Sequence, residues 1–467
     1  MKPACFFILL CFCLCSCGTE EKQNQPTNAV EESRVTSKDT IDLSLDSVMR
    51  KAHIPGIALT IMKNGKVVKQ GNYGLADIEN HAPITDSSKF FIASITKSMV
   101  AAAVYQLSLQ EKIDLDAPIG RYLKNAPDSW SKITLKHLIY HTSGLQEYYQ
   151  FIDLKLNHSM AELLDICYTL PLDFDPGTDY AYVNTNYLIL GAVIEKVSGM
   201  KWYKYLDKTF FKPLEMNDTQ VASFEEILPN RVRGYFYDDS LYTNQPNHAA
   251  STMISPEGGL WSTTTDIAKW TASFTGDKLF SEEEITTMWE PFTINENRLV
   301  KDAFGWVVGK INDLPVYQLE GGWLGYKAVS ILFPEDDLVV TLFYNQALYE
   351  IKGMPPYLAH QVAGLYNDRY LREKHTQVKN LNLEPYFGTY KFAGIGDCEI
   401  IRKGDGVRLK GYDSYIKGTF LPYEKDKFYL APLGEIQLHF TRTSGKITGV
   451  NLYWSRLESD GEWAKKI

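Results

Sequence analysis

The feature that most constrains the fold is the position of the strand-forming segments, which lie at the two ends of one long region. Residues 57–62 and 67–69 are runs rich in β-branched residues, separated by an Asn-Gly turn. Three more runs of this kind, 316–319, 328–333 and 338–343, follow only after a long stretch with helical periodicity. We therefore expect an α+β fold, in which one antiparallel sheet is built from both ends of the region and flanked by helices, with an all-helical part beside it.

The first part of the chain is predicted to direct export. Residues 1–17 combine a basic start with an apolar run of signal-peptide length, which is too short to span a membrane. The run ends in a Leu-x-x-Cys pattern at Cys17 that resembles a bacterial lipobox, so we expect a lipoprotein signal peptide and lipid on the Cys17 thiol. Ordinary secretion of a soluble product is the alternative. Residues 18–42 are polar and charged and are predicted to form a flexible tether.

Two folded domains are expected after the tether. Residues 43–374 contain the sheet-forming runs and the helical stretch and are predicted to form the main domain, which a helix over about 356–371 closes. Residues 380–467 consist of short alternating runs separated by glycine turns, which is typical of a small all-β domain. The lipid anchor would hold the protein at the bacterial cell envelope, on the outer membrane or facing the periplasm.

Composition argues against several classes of function. A formal net charge of −9 disfavours a nucleic-acid partner. Five of the seven cysteines fall within residues 1–17, and the two others, Cys167 and Cys398, lie far apart, so a disulfide framework is not expected. His137 and His141 are four residues apart, but no third ligand is placed beside them, so neither a metal nor another cofactor is predicted.

Ser94 and Lys97 form the most informative chemical motif. They are three residues apart, between the apolar residues 90–92 and the run 99–104, so they are predicted to share one face at the start of a buried helix. A serine hydroxyl needs a base within hydrogen-bonding reach to become a nucleophile, and Lys97 can be that base. Unpaired N–H groups at a helix start also favour an oxyanion. The same spacing recurs in a surface turn, at a helix end and in the strand-rich tail, at Ser129, Ser198 and Ser414.

Two later segments are predicted to complete the site. Tyr182 and Asn184 follow a Pro-Gly turn, where the tyrosine can relay a proton and the asparagine can hold a substrate amide. The segment Glu320-Gly321-Gly322-Trp323 places two glycines in a predicted strand, which permits close approach of a ligand backbone. An N–H group of this segment, opposite that of Ser94, would complete an oxyanion hole.

Taken in chain order, these motifs resemble those of one family of enzymes. Besides the serine and tyrosine motifs, the chain has Leu115-Asp116, the sequence His-Thr-Ser-Gly-Leu at 141–145 and Gly-Gly-Leu-Trp-Ser-Thr at 258–263. Over about residues 43–370 the sequence is similar to the serine β-lactamase and penicillin-binding-protein-like hydrolases, particularly the branch with class C β-lactamases, D-amino-acid peptidases and related esterases. The resemblance implies a β-lactamase/transpeptidase-like fold.

The resemblance also implies a role for each candidate residue, without a metal or cofactor. It implies Ser94 as the nucleophile and Lys97 as its activating base. It implies Tyr182 as the proton relay and Asn184 as the residue that binds the substrate amide. The N–H groups of Ser94 and Trp323 are implied to form the oxyanion hole. Glu320 departs from the family pattern, because the family usually has the lysine of Lys-Thr-Gly or the histidine of His-x-Gly there. Those residues help to bind a substrate carboxylate, so we expect Glu320 to repel one.

The sequence thus predicts a cell-envelope serine hydrolase that acts through an acyl-serine intermediate on an amide or ester. The expected substrate is a D-aminoacyl peptide or a small ester, and the expected membrane contact is the lipid on Cys17. Glu257, beside Gly258-Gly259, is an open candidate for the lining of the substrate groove. Two alternatives remain open: a non-catalytic cell-wall peptide-binding protein of the same fold, and a true β-lactamase.

Overall fold

The computed structural model describes most of the chain after residue 38. The described residues are 39–238, 240–276, 278–294, 298–300, 302–347, 354–370, 376–392, 396–411, 418–431, 436–453 and 462–467. The predicted signal peptide, Cys17 and most of the predicted tether lie outside these residues. Among the helices that are described, none is both long enough and apolar enough to cross a membrane.

The main region contains all the α-helices and 15 of the 23 strands that the structure describes. The α-helices are α1 (Thr40–Ala52), α2 (Ile95–Leu109), α3 (Leu135–Ile139), α4 (Met160–Thr169), α5 (Thr185–Ser198), α6 (Trp202–Leu206), α7 (Ala250–Met253), α8 (Thr264–Ala272), α9 (Glu282–Met288) and α10 (Met354–Tyr366). The strands are β1 (Gly56–Lys63), β2 (Lys66–Asp77), β3 (Ala82–Pro83), β4 (Phe90–Phe91), β5 (Tyr235–Asp238), β6 (Leu241–Asn244), β7 (Trp261–Ser262), β8 (Phe292–Ile294), β9 (Arg298–Val300), β10 (Asp302–Ala303), β11 (Trp306–Ile311), β12 (Leu314–Trp323), β13 (Tyr326–Phe333), β14 (Leu338–Tyr344) and β15 (Gln346–Ala347).

The central sheet joins the two ends of the main region. Its strand order is β10-β11-β12-β13-β14-β1-β2-β3, and its neighbouring strands pair antiparallel. β1 lies between β14 and β2, so that Leu59 is opposite Leu342 on one side and Gly71 on the other. Early and late strands therefore form one sheet, which confirms the predicted α+β fold.

Helices cover both faces of this sheet. One face packs against α1 and α10, where Leu45 and Leu358 contact a cluster that includes Leu59 of β1. The other face packs against the helical part of the domain, where Ala58 of β1 and Met99 of α2 belong to one continuous core. Because the central strands are covered on both sides, β1 and β14 are almost entirely buried and apolar.

Helix α2 is buried in the core of the main region. Its residues Ile95–Val104 are all buried, and all of them except Lys97 are apolar or small, so the helix is covered on every side. It packs between β12 of the sheet and α5 of the helical part. Ser94 immediately precedes this helix, as the sequence predicts.

The C-terminal part is a closed antiparallel barrel with its own core. Its strands are β16 (Gly388–Phe392), β17 (Gly396–Lys403), β18 (Gly406–Lys410), β19 (Thr419–Glu424), β20 (Lys427–Ala431), β21 (Gln437–Thr443), β22 (Lys446–Tyr453) and β23 (Glu462–Lys466). Closure comes from pairing of the first strand with the last, in which Lys391 is opposite Lys465. Tyr390, Phe420 and Leu438 are among its fully buried residues. The predicted all-β character of this part is confirmed.

The folded chain begins slightly earlier than the sequence suggests. Asp39 caps α1 through a reciprocal pair of hydrogen bonds with Asp42, and the helix starts at Thr40. The last three residues of the predicted tether, which was placed at 18–42, therefore belong to a helix. Asp39 and Asp42, two of the charged residues of this stretch, form the helix cap.

Candidate active site

The nucleophile candidate Ser94 occupies the N-terminal boundary of α2. The residue before it, Ala93, has a left-handed backbone with φ of 45°, a conformation that costs a non-glycine residue about 1 kcal/mol. Such strain is concentrated at functional sites. In the described part of the chain, no acceptor is bonded to the backbone N–H of Ser94. The hydroxyl therefore sits beside a free N–H donor at the positive end of a buried helix.

Lys97 lies one helical turn after Ser94 and is 2% exposed. Its Nζ donates to three oxygens, which are Ser94 Oγ at 3.0 Å, Asn184 Oδ1 at 2.8 Å and the backbone carbonyl of Glu257 at 2.7 Å. A lysine ammonium has three N–H donors, so this set of acceptors satisfies all of them. These three hydrogen bonds fix the position of Lys97 Nζ beside the serine hydroxyl.

Asn184 is held in place by a glutamate that the sequence analysis missed. Glu147 Oε2 accepts from the backbone N–H of Asn184 at 2.8 Å and from its side-chain Nδ2 at 2.9 Å. These two bonds orient the amide so that Oδ1 faces Lys97. Asn184 therefore positions the lysine in this structure, in addition to its predicted role in holding a substrate amide.

Tyr182 extends over the mouth of the site. Its side chain is 45% exposed, and its ring centroid is 5.0 Å from Lys97 Nζ. The ring stacks on His141 with the centroids 4.3 Å apart. Burial, reinforced by the nearby Lys97, lowers the pKa of His141 well below its usual range. His141 is therefore a neutral platform for the tyrosine ring, with its Nδ1 close to the backbone N–H of Val183.

Gly321 brings strand β12 into contact with the start of α2. A Cβ atom at this position would lie 1.9 Å from the carbonyl oxygen of Ile92 and 3.3 Å from the backbone nitrogen of Ile95. Gly321 thus allows the backbone of β12 to approach the backbone at the start of α2. The glycine was predicted to allow the approach of a ligand backbone instead. This contact sets the width of the site between Ser94 and Trp323.

Replacing Gly321 with alanine is therefore expected to push β12 away from α2. We expect the free energy of unfolding to fall by about 3 kcal/mol or more, because a backbone oxygen cannot move aside as a flexible side chain can. Urea denaturation followed by circular dichroism measures the loss. The matched control is Gly120→Ala, because a Cβ there has no atom within 4 Å. Equal stability of the two variants would show that the contact is not constrained.

Glu320 precedes Gly321 in β12 and is not part of the lining of the cavity that opens over Ser94. Neighbouring residues of a strand point to opposite faces, so Glu320 lies on the face opposite to the one that Gly321 presents to α2. Its carboxylate accepts a hydrogen bond from the side chain of Gln318, two residues earlier on the same face. The expected repulsion of a substrate carboxylate by Glu320 stays a prediction.

A cavity of about 170 Å³ opens over Ser94. Of the predicted residues it brings together Ser94, Tyr182, Asn184, Gly322 and Trp323, whereas Lys97 lies beneath it. The complete lining is Phe91, Ala93, Ser94, Tyr149, Tyr182, Asn184, Thr252, Ser255, Glu257, Gly258, Gly322 and Trp323. Glu257, an open candidate from the sequence, is part of this lining. The role of the Trp323 N–H as an oxyanion donor stays a prediction.

His137 and His141, the two histidines considered as metal ligands, make structural contacts. His137 shares a capping box with Thr134 at the start of α3, and His141 lies under Tyr182. In the described parts of the chain, no group of three or more histidine, cysteine, aspartate or glutamate side chains is arranged to hold a metal ion.

Comparison with known proteins identifies the family. The model of the protein family named Beta-lactamase matches residues 41–363, which include every candidate residue of the site. The chain belongs to the beta-lactamase family. This membership confirms the resemblance inferred from the motifs, and with it the β-lactamase/transpeptidase-like fold.

Individual relatives of this beta-lactamase-family chain are distant. It is 26% identical to penicillin-binding protein 4* of Bacillus subtilis over 290 residues, which cover 58% of this chain and 64% of the relative. It is 26% identical to protein flp of Staphylococcus aureus over 234 residues, which cover 49% of this chain and 45% of the relative. The chain thus spans about half to two thirds of the length of these curated relatives.

Solved structures share the fold of this beta-lactamase-family chain. An octameric penicillin-binding protein homologue from Pyrococcus abyssi superposes with a TM-score of 0.61 at 22% identity, over 91% of this chain and 99% of that one. The D-amino acid amidase of Ochrobactrum anthropi SV3, in a complex with L-phenylalanine amide, superposes with a TM-score of 0.58 at 21% identity, over 71% and 97%. At these identities the likeness concerns the fold alone.

Proposed function

We propose that this protein is an acyl-serine hydrolase that cleaves an amide or ester, with Ser94 as nucleophile, Lys97 as base and Tyr182 as proton relay. The observation that carries the proposal is the 3.0 Å contact between Lys97 Nζ and Ser94 Oγ beneath an open cavity. A structural lysine could be satisfied by carbonyls alone, whereas this one is directed at a hydroxyl beside a free N–H donor. Nucleophile, base and oxyanion donor therefore meet at one point.

Acylation begins when the Ser94 hydroxyl transfers its proton to the free electron pair of Lys97 Nζ, which in this state keeps two hydrogen bonds, to Asn184 Oδ1 and to the Glu257 carbonyl. The Ser94 oxygen then forms a bond to the substrate carbonyl carbon, and the carbonyl π electrons move to its oxygen. The resulting oxyanion lies beside the N–H of Ser94 at the positive end of α2. When the intermediate collapses, the amine or alcohol leaves with a proton relayed from Lys97 through Tyr182, and the acyl group stays on Ser94.

Deacylation reverses these proton movements with water as the nucleophile. Water attacks the acyl carbon and transfers its proton to Tyr182, which passes it on by way of Lys97. The Ser94 oxygen leaves with a proton and the carboxylic acid is released. The exposed position of Tyr182 at the mouth of the cavity supports this role, because water can approach the acyl group from that side.

The proposed substrate is a D-aminoacyl peptide or a small ester. The cavity lining includes no lysine or arginine in the described part of the chain, so it has no ready partner for a free substrate carboxylate. The fold shared with a D-amino acid amidase supports an amide without such a group. We further propose that lipid on Cys17 holds the enzyme at the bacterial cell envelope, which rests on the sequence of residues 1–17.

The full-length protein, solubilised in mild detergent, tests the proposal. A fluorophosphonate probe is expected to label one peptide, the one that contains Ser94, and a panel of D-aminoacyl amides and short esters is expected to include a substrate. Absence of both labelling and turnover would favour the non-catalytic peptide-binding alternative. Fast hydrolysis of a chromogenic cephalosporin would instead identify a true β-lactamase.

Tyr182→Phe separates proton relay from ring packing. The substitution removes only the phenol oxygen and keeps the ring that stacks on His141. We expect kcat to fall by about 10²-fold while KM changes little, since general acid–base groups contribute roughly this much. Steady-state kinetics on the best substrate of the panel measures both constants. An unchanged kcat would remove Tyr182 from the mechanism.

A further inference from the structure

Lys97 has two kinds of hydrogen-bond partner. Asn184 Oδ1 and the carbonyl oxygen of Glu257 can only accept a hydrogen bond, whereas the hydroxyl of Ser94 can donate or accept one. A neutral lysine amine has two N–H groups and one free electron pair. All three contacts stay satisfied only if the N–H groups bind the two acceptors and the electron pair faces Ser94. The orientation of the acceptors therefore decides whether the base is directed at the nucleophile.

The side chain of Asn184 could face the lysine in either of two ways. An asparagine amide presents an oxygen acceptor on one side and an NH2 donor on the other, in nearly the same shape. If this amide were rotated by half a turn, its Nδ2 would face Lys97 and compete with the Ser94 hydroxyl for the free electron pair. The lysine would then be a poor acceptor for the serine proton. Another group must therefore fix the amide in the orientation that the structure shows.

Glu147 is the group that fixes this orientation. Its Oε2 accepts from the side-chain Nδ2 of Asn184 at 2.9 Å and from the backbone N–H of the same residue at 2.8 Å. An ionised carboxylate has acceptors and no donor, so a rotated amide would place Asn184 Oδ1 against a second acceptor. The described cavity lining does not include Glu147. The carboxylate therefore acts on Lys97 through Asn184.

The other acceptor of the lysine is held by the same short segment. The Glu147 carboxylate caps the 3-10 helix that follows it, by accepting from the backbone N–H of Tyr149 at 3.3 Å. The hydroxyl groups of Tyr148 and Tyr149 donate to Glu257 Oε1, and the carbonyl of Glu257 accepts from Lys97. Both residues that accept from the lysine are therefore anchored to residues 147–149.

We propose that Glu147 is a positioning residue for the base of the proposed acyl-serine hydrolase. By keeping Asn184 as an acceptor toward Lys97, it directs the free electron pair of the neutral lysine at the Ser94 hydroxyl. The O–H bond of Ser94 then breaks as an N–H bond forms on Lys97, and the serine oxygen keeps the electron pair with which it attacks the substrate carbonyl carbon. The inference rests on the proposed function and adds to it a residue outside the cavity lining.

Glu147→Met tests this role, because methionine keeps the length of the side chain but has no strong acceptor. We expect the second-order rate of fluorophosphonate labelling of the full-length protein to fall by about 30-fold, since a hydrogen bond to a charged group is worth roughly this factor. Glu147→Gln is expected to stay within about threefold of native, because its amide oxygen can accept from both N–H groups of Asn184. On the best substrate of the panel, kcat is expected to follow the labelling rate while KM changes little.

Asn184→Ala separates positioning from a merely structural role. Because Glu147 is proposed to act through Asn184, adding Glu147→Met to Asn184→Ala should change the labelling rate by less than about twofold. Glu195→Met is the matched control, since Glu195 is also a partly buried glutamate that accepts from a backbone N–H at a helix start, that of Trp202. This control is expected to be labelled at the native rate per folded molecule.

Thermal unfolding measures the folded fraction of each variant, and Glu147→Ala replaces Glu147→Met if methionine prevents folding. Native-like labelling of the Glu147 or Asn184 variant, equal losses in Glu147→Met and Glu147→Gln, or a further fall of about 30-fold in the double variant would overturn the positioning role. Labelling of the native protein at Ser94 would continue to support the hydrolase in each of these cases. Absence of that labelling would overturn the hydrolase itself, so the two failures are distinguishable.

Discussion

Replacement of Ser94 by alanine is expected to abolish covalent labelling by fluorophosphonate and to reduce hydrolysis to the uncatalysed background. The hydroxyl oxygen is the only atom removed, and it forms the new bond in the proposed reaction. The fold should persist, because among the described residues Ser94 Oγ takes part in one hydrogen bond, the one from Lys97. Intact-protein mass spectrometry of the adduct, together with thermal unfolding, measures both expectations.

The chain offers a matched control for this variant. Ser129 precedes Lys132 at the same spacing, but it lies in the short 3-10 helix Asp128–Trp130 and is exposed. Ser129→Ala is expected to retain full labelling and full activity. Labelling that survives in Ser94→Ala, or that is lost in Ser129→Ala, would contradict the choice of nucleophile.

Replacement of Lys97 by methionine is expected to reduce kcat/KM by about 10³-fold, because the base that receives the serine proton is lost. Methionine keeps the length and most of the volume of the lysine side chain. The substitution also removes the donor for Asn184 Oδ1 and for the carbonyl of Glu257, so a loss of about 1–3 kcal/mol in the free energy of unfolding is expected for each group left without a partner. Steady-state kinetics measures the fall in kcat/KM, and urea denaturation of the same preparation measures the loss in the free energy of unfolding.

Lys89→Met controls for the loss of a buried lysine. Lys89 is 7% exposed and forms an ion pair with Asp218 at 2.7 Å, outside the cavity lining. This variant is expected to lose stability while the activity per folded molecule stays close to native. If Lys97→Met retained more than a tenth of the native activity, the assignment of the base would be wrong.

The fold was largely predictable because its signals are local. The runs that became β1, β12, β13 and β14 have the alternation or the continuous apolar character of strands, and a turn separates β13 from β14. The two-residue strand β10 was not predicted, because a segment this short has no measurable periodicity. The barrel was predicted only as an all-β domain, since closure depends on pairing between its first and last strands.

The partners of the site residues were harder to predict. Glu147 was missed because no motif links it to Asn184, although a carboxylate just after the His-Thr-Ser-Gly-Leu sequence was the available signal. Glu320 was predicted to act in the site because it occupies the position of the family's lysine or histidine, and its role stays a prediction since Glu320 is not part of the cavity lining. Sequence motifs predict which segments of the chain come together. The face of the sheet that a side chain occupies depends on the register of its strand against the neighbouring strands.

Patterns along the chain were enough to predict a sheet built from both ends of the main region, the buried helix after Ser94, the spacing of Ser94 and Lys97, and the family. These depend on periodicity and on short distances along the chain. Three contacts became visible in the folded structure: Gly321 abuts Ile92, His141 supports Tyr182, and the Glu257 carbonyl accepts from Lys97. The physical reason is that these contacts join residues far apart in sequence, whose meeting is set by packing of the whole core.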